Sequence, residues 1–331
     1  PQHFIDLVEK NGIAFHEKHK GQLFADRSAQ DIVRMLLDAC ALAGVQRWQP
    51  CTIETIEAEA ASAPRSGPSR YRLHTSQGLV QAHNLVVATG GLSIPKIGAT
   101  DFGYRIAKQF GLPIVAQRPG LVPLRFAGED WAPYADLAGV ALPVRISTGE
   151  KKAAIAFDED LLFTHRGLSG PAILQISSYW QPGQPLTIDL LPHLDIAAAL
   201  QEAKASSKKQ LPNLLAQWLP TRLAEAWCQH TPAWQGPVNQ CSDKALAQLA
   251  HSLSHWQITP SGTEGYAKAE VTLGGVDTQA LAQQSMQAKQ QPGLFFIGEV
   301  VDITGWLGGY NFQWAWASAY ACAQALQAAS A

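Results

Sequence analysis

An α/β fold is predicted, built on a parallel sheet that a β-rich and then a helical insertion interrupts. Three observations predict it. Two continuous apolar runs, Leu85 to Ala88 and Leu294 to Ile297, each end in glycine; a capped amphipathic helix precedes the first; and the patterning changes between about Pro119 and Val276. A parallel strand covered on both faces reads as unbroken apolar residues, whereas a half-exposed strand alternates.

Taken in order, Ser28 with Asp31 predicts a capping box, and Ile32, Val33, Leu36, Leu37 and Cys40 recur on one helical face until Gly44 ends the helix. A strand follows at Cys51 to Ile56. Beyond a Pro/Ser/Gly-rich loop at Ala63 to Ser69 come strands at Tyr71 to Thr75 and Leu79 to Ala82, joined by Gln77-Gly78. The apolar run Leu85 to Ala88 then ends in Thr89-Gly90-Gly91. From about Pro119, β-like segments appear at Val144 to Ser147, Ala153 to Phe157, Leu161 to Thr164 and Leu186 to Leu190. Leu194 to His255 has helical spacing broken by Pro212, Pro220, Pro232 and Pro237. β patterning resumes at Gly265 to Val276, and a helix-forming stretch at Thr278 to Lys289 precedes the second apolar run. The tail thus rejoins the first sheet, and the middle reads as an insertion.

Composition bounds the function. At 331 residues the chain has room for about two domains. Hydrophobic residues at 47% with charged residues at 16% argue for a packed globular protein. A formal charge of -2 gives no general attraction to polyphosphate, so any nucleic-acid contact must come from a local basic patch. The five cysteines, Cys40, Cys51, Cys228, Cys241 and Cys322, form no C-x-x-C pair and no metal-ligand spacing with histidine; no metal is expected, and a reducing cytoplasm is the simplest home. Ile303 to Ala331 carries no charge, but its glycines and amides argue against a membrane span.

In an open α/β sheet, ligands lie at the carboxyl ends of the strands, where glycine lets backbone approach closely. Thr89, Gly90 and Gly91 stand at one such end. At the other stand Gly298 and Glu299, followed by Asp302, Gly305, Gly308 and Gly309, and then by Tyr310 and Asn311 opening an Ala-rich helix. So many glycines cost stability unless the backbone must bend or touch a ligand. The unpaired N–H groups at a helix start favour negative charge, a field that suits a reduced flavin. Asp302 either accepts hydrogen bonds from ribityl or ribose hydroxyls or caps the turn. Leu162 to Pro171 reads as strand, turn and helix with Ser169 as cap; His165 within it is either an acid/base group or a structural loop histidine. Gly98, Asp101 and Gly103 lie where a helix begins and read as a strand-to-helix connection, since the Lys-Ser/Thr of a phosphate loop does not follow.

LVVATGG (Leu85 to Gly91), GATDFGYRIAK (Gly98 to Lys108), GLVPL (Gly120 to Leu124), LFTHRGLSGPA (Leu162 to Ala172), AEVTLGGV (Ala269 to Val276) and GEVVDITGWLGGYNFQWA (Gly298 to Ala315) resemble the YhiN/BaiN-like flavoprotein family, related to aminoacetone-oxidase-like enzymes. The motifs run in order through nearly the whole chain. The resemblance implies a two-dinucleotide-binding-domain FAD/NAD(P) fold with an inserted β-barrel and a small helical domain. Placed on this sequence, the FAD-binding domain is 1–118 with 275–331, the barrel 119–192 with 258–274, and the helical domain 193–257.

The resemblance also implies that Thr89, Gly90 and Gly91 meet the flavin nucleotide, that Gly98 and Asp101 belong to the cofactor-binding set, that Gly298, Glu299 and Asp302 meet the ribityl-pyrophosphate region, and that Gly308, Gly309, Tyr310 and Asn311 meet the isoalloxazine ring. His16-Glu17-Lys18 and Gly21-Gln22-Leu23-Phe24 match a stretch near the flavin, with Gln22 where related sequences often have arginine. His165, Tyr310 and His16 are the candidate proton carriers. The family opens with a strand, a G-x-G-x-x-G turn and a helix that hold the FAD pyrophosphate; no such element is found here, and the expectation is a member lacking that segment.

The activity this implies is FAD-dependent hydride transfer to a small or tethered acceptor, with NAD(P)H as transient donor. The alternative is flavin-dependent reduction of uridine to dihydrouridine in ribosomal RNA, with an RNA-facing surface around Arg145, Lys151, Lys152, Lys204, Lys208 and Lys209. A second alternative is a catalytically inactive remnant.

Overall fold

The structure, a computed structural model, describes residues 1–18, 21–58, 70–149 and 154–330. The loop expected at Ala63 to Ser69, and Lys151 and Lys152, lie outside the described residues. The chain divides into two compact units: Pro1–Gly90, Phe102–Val115 and Val276–Ala331 form the first, and Gly91–Asp101 and Ala116–Gly275 the second.

The elements begin with α1 (Gln2–Lys10), β1 (Phe15–Glu17), β2 (Leu23–Ala25), α2 (Ala29–Leu42), β3 (Ile53–Ala58), β4 (Tyr71–Thr75), β5 (Gly78–Ala82), β6 (Leu85–Val87) and α3 (Phe102–Gln109). Then come β7 (Ile114–Gly120), β8 (Leu124–Arg125), α4 (Gly128–Trp131), β9 (Ala141–Thr148), β10 (Ile155–Thr164), β11 (Gly167–Ser169), α5 (Pro171–Ser177) and β12 (Leu186–Asp189). Helices α6 (Ile196–Ser206), α7 (Leu211–Leu215), α8 (Thr221–Gln229) and α9 (Asp243–Ser254) follow, and β13 (Trp256–Ile258), β14 (Gly262–Thr263), β15 (Val271–Val276), β16 (Leu294–Phe296) and α10 (Tyr310–Ser330) complete the order.

In the first unit the two apolar runs pair with each other. β6 and β16 are parallel, with Leu85 opposite Leu294 and Val87 opposite Phe296. All of β16 is buried, whereas Leu85 and Val86 are half-buried, so β6 is less covered than an unbroken apolar run predicts. β3, β4 and β5 form an antiparallel meander. α2 starts where expected: Ser28 Oγ accepts the Gln30 N–H at 3.1 Å, and Gly44 takes φ +73° beyond the last turn. Its apolar face differs from expectation. Met35 is the buried residue, while Val33 and Leu37 stay 45% and 38% exposed, because α2 packs against β2, a three-residue strand too small to cover the stripe.

The helix expected at Thr278 to Lys289 does not form. A short 3-10 turn at Thr278–Ala280 leads into bridges between Leu281 and Ala288 and between Gln287 and Phe295, with Met286 at φ +62°. The residues buried here are Leu281, Met286 and Ala288, a spacing no helical face matches, so pairing with β16 overrides the helix-forming composition.

The second unit is a seven-stranded sheet in the order β13-β12-β9-β10-β11-β8-β14, every neighbour antiparallel. Along β9, Leu142, Val144 and Ile146 are buried and alternate with exposed residues, the two-residue period of a one-sided sheet. Ala153 lies outside the described residues, and the two β segments expected around it and at Leu161 to Thr164 are one strand. Asp158 and Asp160 point outward rather than break it, and Asp158 meets Arg145 across the pair at 2.7 Å. The helical segment belongs to this same unit: Leu200 of α6, Leu223 of α8 and Leu249 of α9 share one apolar cluster with Ile146, Phe163 and Leu186 of the sheet. Cys228 and Cys241 are buried there, and burial first, then Cys241 nearby, pushes the Cys228 thiol up to about 12, a neutral and inert form.

No helix among the described residues is long and apolar enough to cross a membrane, and no group of three or more His, Cys, Asp or Glu among them is placed to hold a metal ion.

Candidate functional site

The parallel pairing of β6 with β16 brings the two glycine turns to one edge. Ile297 donates its N–H to Val87 O at 3.1 Å, so Thr89 and Gly90 leave the sheet beside Gly298. Helix α3 closes on the same point through Gly103. A Cβ on Gly103 would stand 2.2 Å from Thr89 Oγ1 and 2.8 Å from Val300 Cγ2, so Gly103 is the residue that lets the helix lie against both turns. Residue-level reading placed Gly103 at a helix start and did not see this packing role.

Gly90, Gly298 and Gly309 have φ of +70°, +76° and +90°, and a Cβ on any of them would meet no atom within 4 Å. They are glycine for their left-handed backbone and face open space, which is what a ligand resting on the carboxyl edge of the sheet requires. Helix α10 fixes the Gly298 peptide from both sides: Ser318 Oγ accepts its N–H at 3.0 Å, and Trp314 Nε1 donates to its carbonyl at 2.8 Å. Ser318 is 1% exposed and donates in turn to Trp314 O. Trp314 lies one turn into α10, so the start of that helix stands about 6 Å along the axis from this clamp. Neither residue stood out in the sequence, although a serine in an apolar helix was a usable signal.

Asp302 follows. Its N–H donates to Val276 O at 2.9 Å, and its half-buried carboxylate has no protein partner among the described residues, leaving both oxygens to accept from hydroxyls. Glu299 is half-buried within the turn Gly298–Val300. Asn311 holds the bend: its Oδ1 accepts the Gly305 N–H at 2.8 Å and its Nδ2 donates to Gly305 O at 3.1 Å. Gly305 has no alternative residue there, since a Cβ would lie 2.4 Å from Tyr310 Cβ. Gly308 has φ +111°, and Tyr310 is 60% exposed at the helix start.

The β1–β2 hairpin lies beside this bend, because a Cβ on Gly308 would stand 3.9 Å from Gln22 Nε2. On the same hairpin His16 Nδ1 lies 2.8 Å from Asp26 Oδ1. The carboxylate fixes the ring and leaves Nε2 outward, the arrangement that orients an acid/base histidine. Asp26 is a partner that sequence reading missed.

Gly91, Gly98, Asp101 and His165 belong to the second unit. Gly91 is buried, and the segment after it is tied to β15 by Leu92 N–H donating to Thr272 Oγ1 at 2.8 Å. Gly98 closes a 3-10 turn at φ +103°, and Asp101 immediately precedes α3. His165 sits with Arg166 in the exposed two-residue turn between β10 and β11. The expected cap is corrected here: Ser169 lies within β11, and Gly170, at φ +85°, precedes α5 with no side-chain cap. Of the cations expected on an RNA-facing surface, Arg145 is paired with Asp158 and Lys204 with Asp243, both at 2.7 Å.

Ser318→Ala is expected to lower stability by about 1–2 kcal/mol, since it leaves the part-buried Gly298 N–H without its acceptor. Urea unfolding followed by circular dichroism measures it, and an unchanged midpoint would show that the clamp carries no strain-bearing role.

The family described as HI0933-like protein Rossmann domain matches residues 1–325. A ribosomal RNA dihydrouridine synthase of Escherichia coli is 49% identical over 327 residues, which cover 98% of this chain and 79% of that protein. A protein of the same description from Haemophilus influenzae is 46% identical over 324 residues, covering 97% and 78%. A 3-dehydro-bile acid delta(4,6)-reductase of Clostridium scindens is 26% identical over 257 residues, covering 74% and 62%.

Proposed function

The chain belongs to the HI0933-like Rossmann family, and from that premise we propose that it is an FAD-dependent enzyme that reduces uridine to dihydrouridine in ribosomal RNA. The observation that carries the cofactor is the junction of the β6 and β16 turns: three left-handed glycines facing open space, a clamped Gly298 peptide and an unpartnered Asp302 carboxylate. The substrate is supported by the two ribosomal RNA dihydrouridine synthases, which match nearly this entire chain at close to half identity. This reverses the order of the two activities expected from the sequence, where hydride transfer to a small acceptor came first. The bile-acid reductase supports that second reading at 26% identity over a smaller share of both chains.

The residues present fit a flavin. Gly90, Gly298 and Gly309 would take its flat surfaces, Asp302 its ribityl or ribose hydroxyls, and the first N–H groups of α10 the negative charge of the reduced ring. When bound, the flavin supplies hydride chemistry, with NAD(P)H as the proposed electron source. The chain's own contribution is positioning and a proton. His16 is favoured over His165 and Tyr310 as its carrier, because Asp26 orients it and its hairpin borders Gly308.

Two measurements test the proposal together. The purified protein is expected to take up FAD in equimolar amount, seen as protein-bound visible flavin absorbance, and ribosomal RNA from cells lacking the gene is expected to lose dihydrouridine that the restored gene returns. Unchanged dihydrouridine would eliminate the RNA substrate, and failure to bind added FAD would eliminate flavin chemistry and favour the inactive reading.

A further inference from the structure

We propose that a cavity in the helical part of the second unit is a nucleotide-binding subsite, with Trp218 stacking on a base and Lys208 and Lys209 meeting the flanking phosphates. The inference rests on the RNA reading above and adds to it a place where the RNA is held. The cavity, about 310 Å³, opens between the end of α6 and α7 and is lined by Glu202, Ser206, Ser207, Lys209, Gln217 and Trp218 among others. That volume is at the small end of ligand pockets, about 300–1,000 Å³, and suits one nucleotide better than a larger cofactor.

The tryptophan is the strongest part of the case. The second unit holds Trp131, Trp180, Trp218, Trp227, Trp234 and Trp256. Four of them have their indole N–H engaged: Trp131 donates to Thr164 O, Trp180 to Gln184 O, Trp227 to Ser252 Oγ and Trp234 to Ala245 O, while the Trp256 ring is enclosed by Tyr134, Phe163 and Trp227. Trp218 is half-buried, and its N–H has no protein partner among the described residues. An indole embedded in protein usually finds a partner for that group. Here it stands in a cavity wall instead, offering an aromatic face and a donor.

The charges around it point the same way. Lys204 is neutralised by Asp243 at 2.7 Å, but no carboxylate among the described residues lies within ion-pair distance of Lys208 or Lys209. Lys209 is set in a held loop: its N–H donates to Ser207 Oγ at 3.2 Å, and its carbonyl accepts from Val238 N–H at 2.9 Å. Glu202 and Gln217 line the same cavity and supply the acceptors and donors that read a base edge. A chain of net charge -2 does not attract RNA as a whole, so contact must be made at such a point. Aromatic stacking combined with unpaired lysines is how proteins hold single-stranded nucleic acid.

The test uses the FAD-loaded protein and a fluorescein-labelled, unmodified ribosomal RNA transcript, with binding read by anisotropy over a range of salt. Trp218→Ala is expected to weaken binding about ten-fold, and Trp218→Phe, which keeps a stacking face, to restore most of it. Lys209→Ala is expected to reduce the salt slope by about one, and Lys208→Ala to act likewise. The lysines are exposed, so these two variants read out the subsite even where Trp218→Ala perturbs folding. Wild-type binding with all four variants unchanged would overturn the subsite while the RNA reading stands. Absence of binding by the wild type would overturn the RNA reading itself. Loss of a bound protein from Trp218→Ala, with RNA binding intact, would assign the cavity to a protein partner and also overturn the proposal.

Discussion

Gly103→Val is expected to destabilise the first unit by about 3 kcal/mol, the upper end of what overpacking a filled site costs. The first carbon alone would stand 2.2 Å from Thr89 Oγ1, 2.8 Å from Val300 Cγ2 and 3.3 Å from Val87 Cγ1. Thr89 can rotate away, because it is exposed. Val300 and Val87 cannot do so cheaply, since they are 0% and 5% exposed and belong to the turn after β16 and to β6 itself. The helix must therefore move off the sheet. Alanine is expected to cost less than valine: its clash is smaller, and replacing glycine within a helix returns up to about 1 kcal/mol of propensity. Denaturant unfolding of both variants gives the order, and flavin uptake is expected to fall with valine because Thr89 and Gly298 would separate. A valine variant within 0.5 kcal/mol of wild type would show that α3 does not rest on Gly103.

What the sequence revealed about this region depends on whether the signal was local. The runs Leu85 to Ala88 and Leu294 to Ile297 lack alternation and end in glycine, and they are indeed paired strands ending at one edge. The unbroken apolar run made the strands legible, and β16 is buried throughout as such a run predicts, although Leu85 and Val86 of β6 are only half-buried. The stretch from Thr278 to Lys289 has the composition of a helix and is an irregular loop, since one short-range bridge folds it on itself, Leu281 to Ala288, another ties Gln287 to Phe295 of β16, and neither pairing shows in the composition. Asn311 was legible as a residue of the bend and illegible in role, because its bonds to Gly305 depend on how the glycines turn. Ser318, Trp314 and Asp26 were missed for the same reason: each acts on a residue between 10 and 20 positions away, and no spacing rule connects them. The exposed Val33 and Leu37 mark the opposite error, in which a clear helical stripe meets too little partner to be buried.

A comparison of two alanine substitutions separates a glycine kept for backbone geometry from one kept for a ligand. Gly298 and Gly111 have nearly equal left-handed φ, +76° and +73°, and in both a Cβ would meet nothing within 4 Å. Both alanine variants are therefore expected to lose the same about 1–2 kcal/mol, the cost of holding a residue with a Cβ in that region. Their effects on FAD are expected to differ. Gly111 follows α3 at its far end from Gly103, whereas the space beside Gly298 is where the flavin is proposed to rest. Gly298→Ala is expected to lower FAD affinity about a hundred-fold, about 2.7 kcal/mol, because the methyl group occupies that space and displaces the clamped peptide. Titration of the flavin-free variants with FAD, followed by fluorescence quenching, measures the difference. Equal FAD affinity in the two variants would mean that Gly298 serves the turn alone, and the flavin would have to be sought away from the carboxyl edge of β6 and β16.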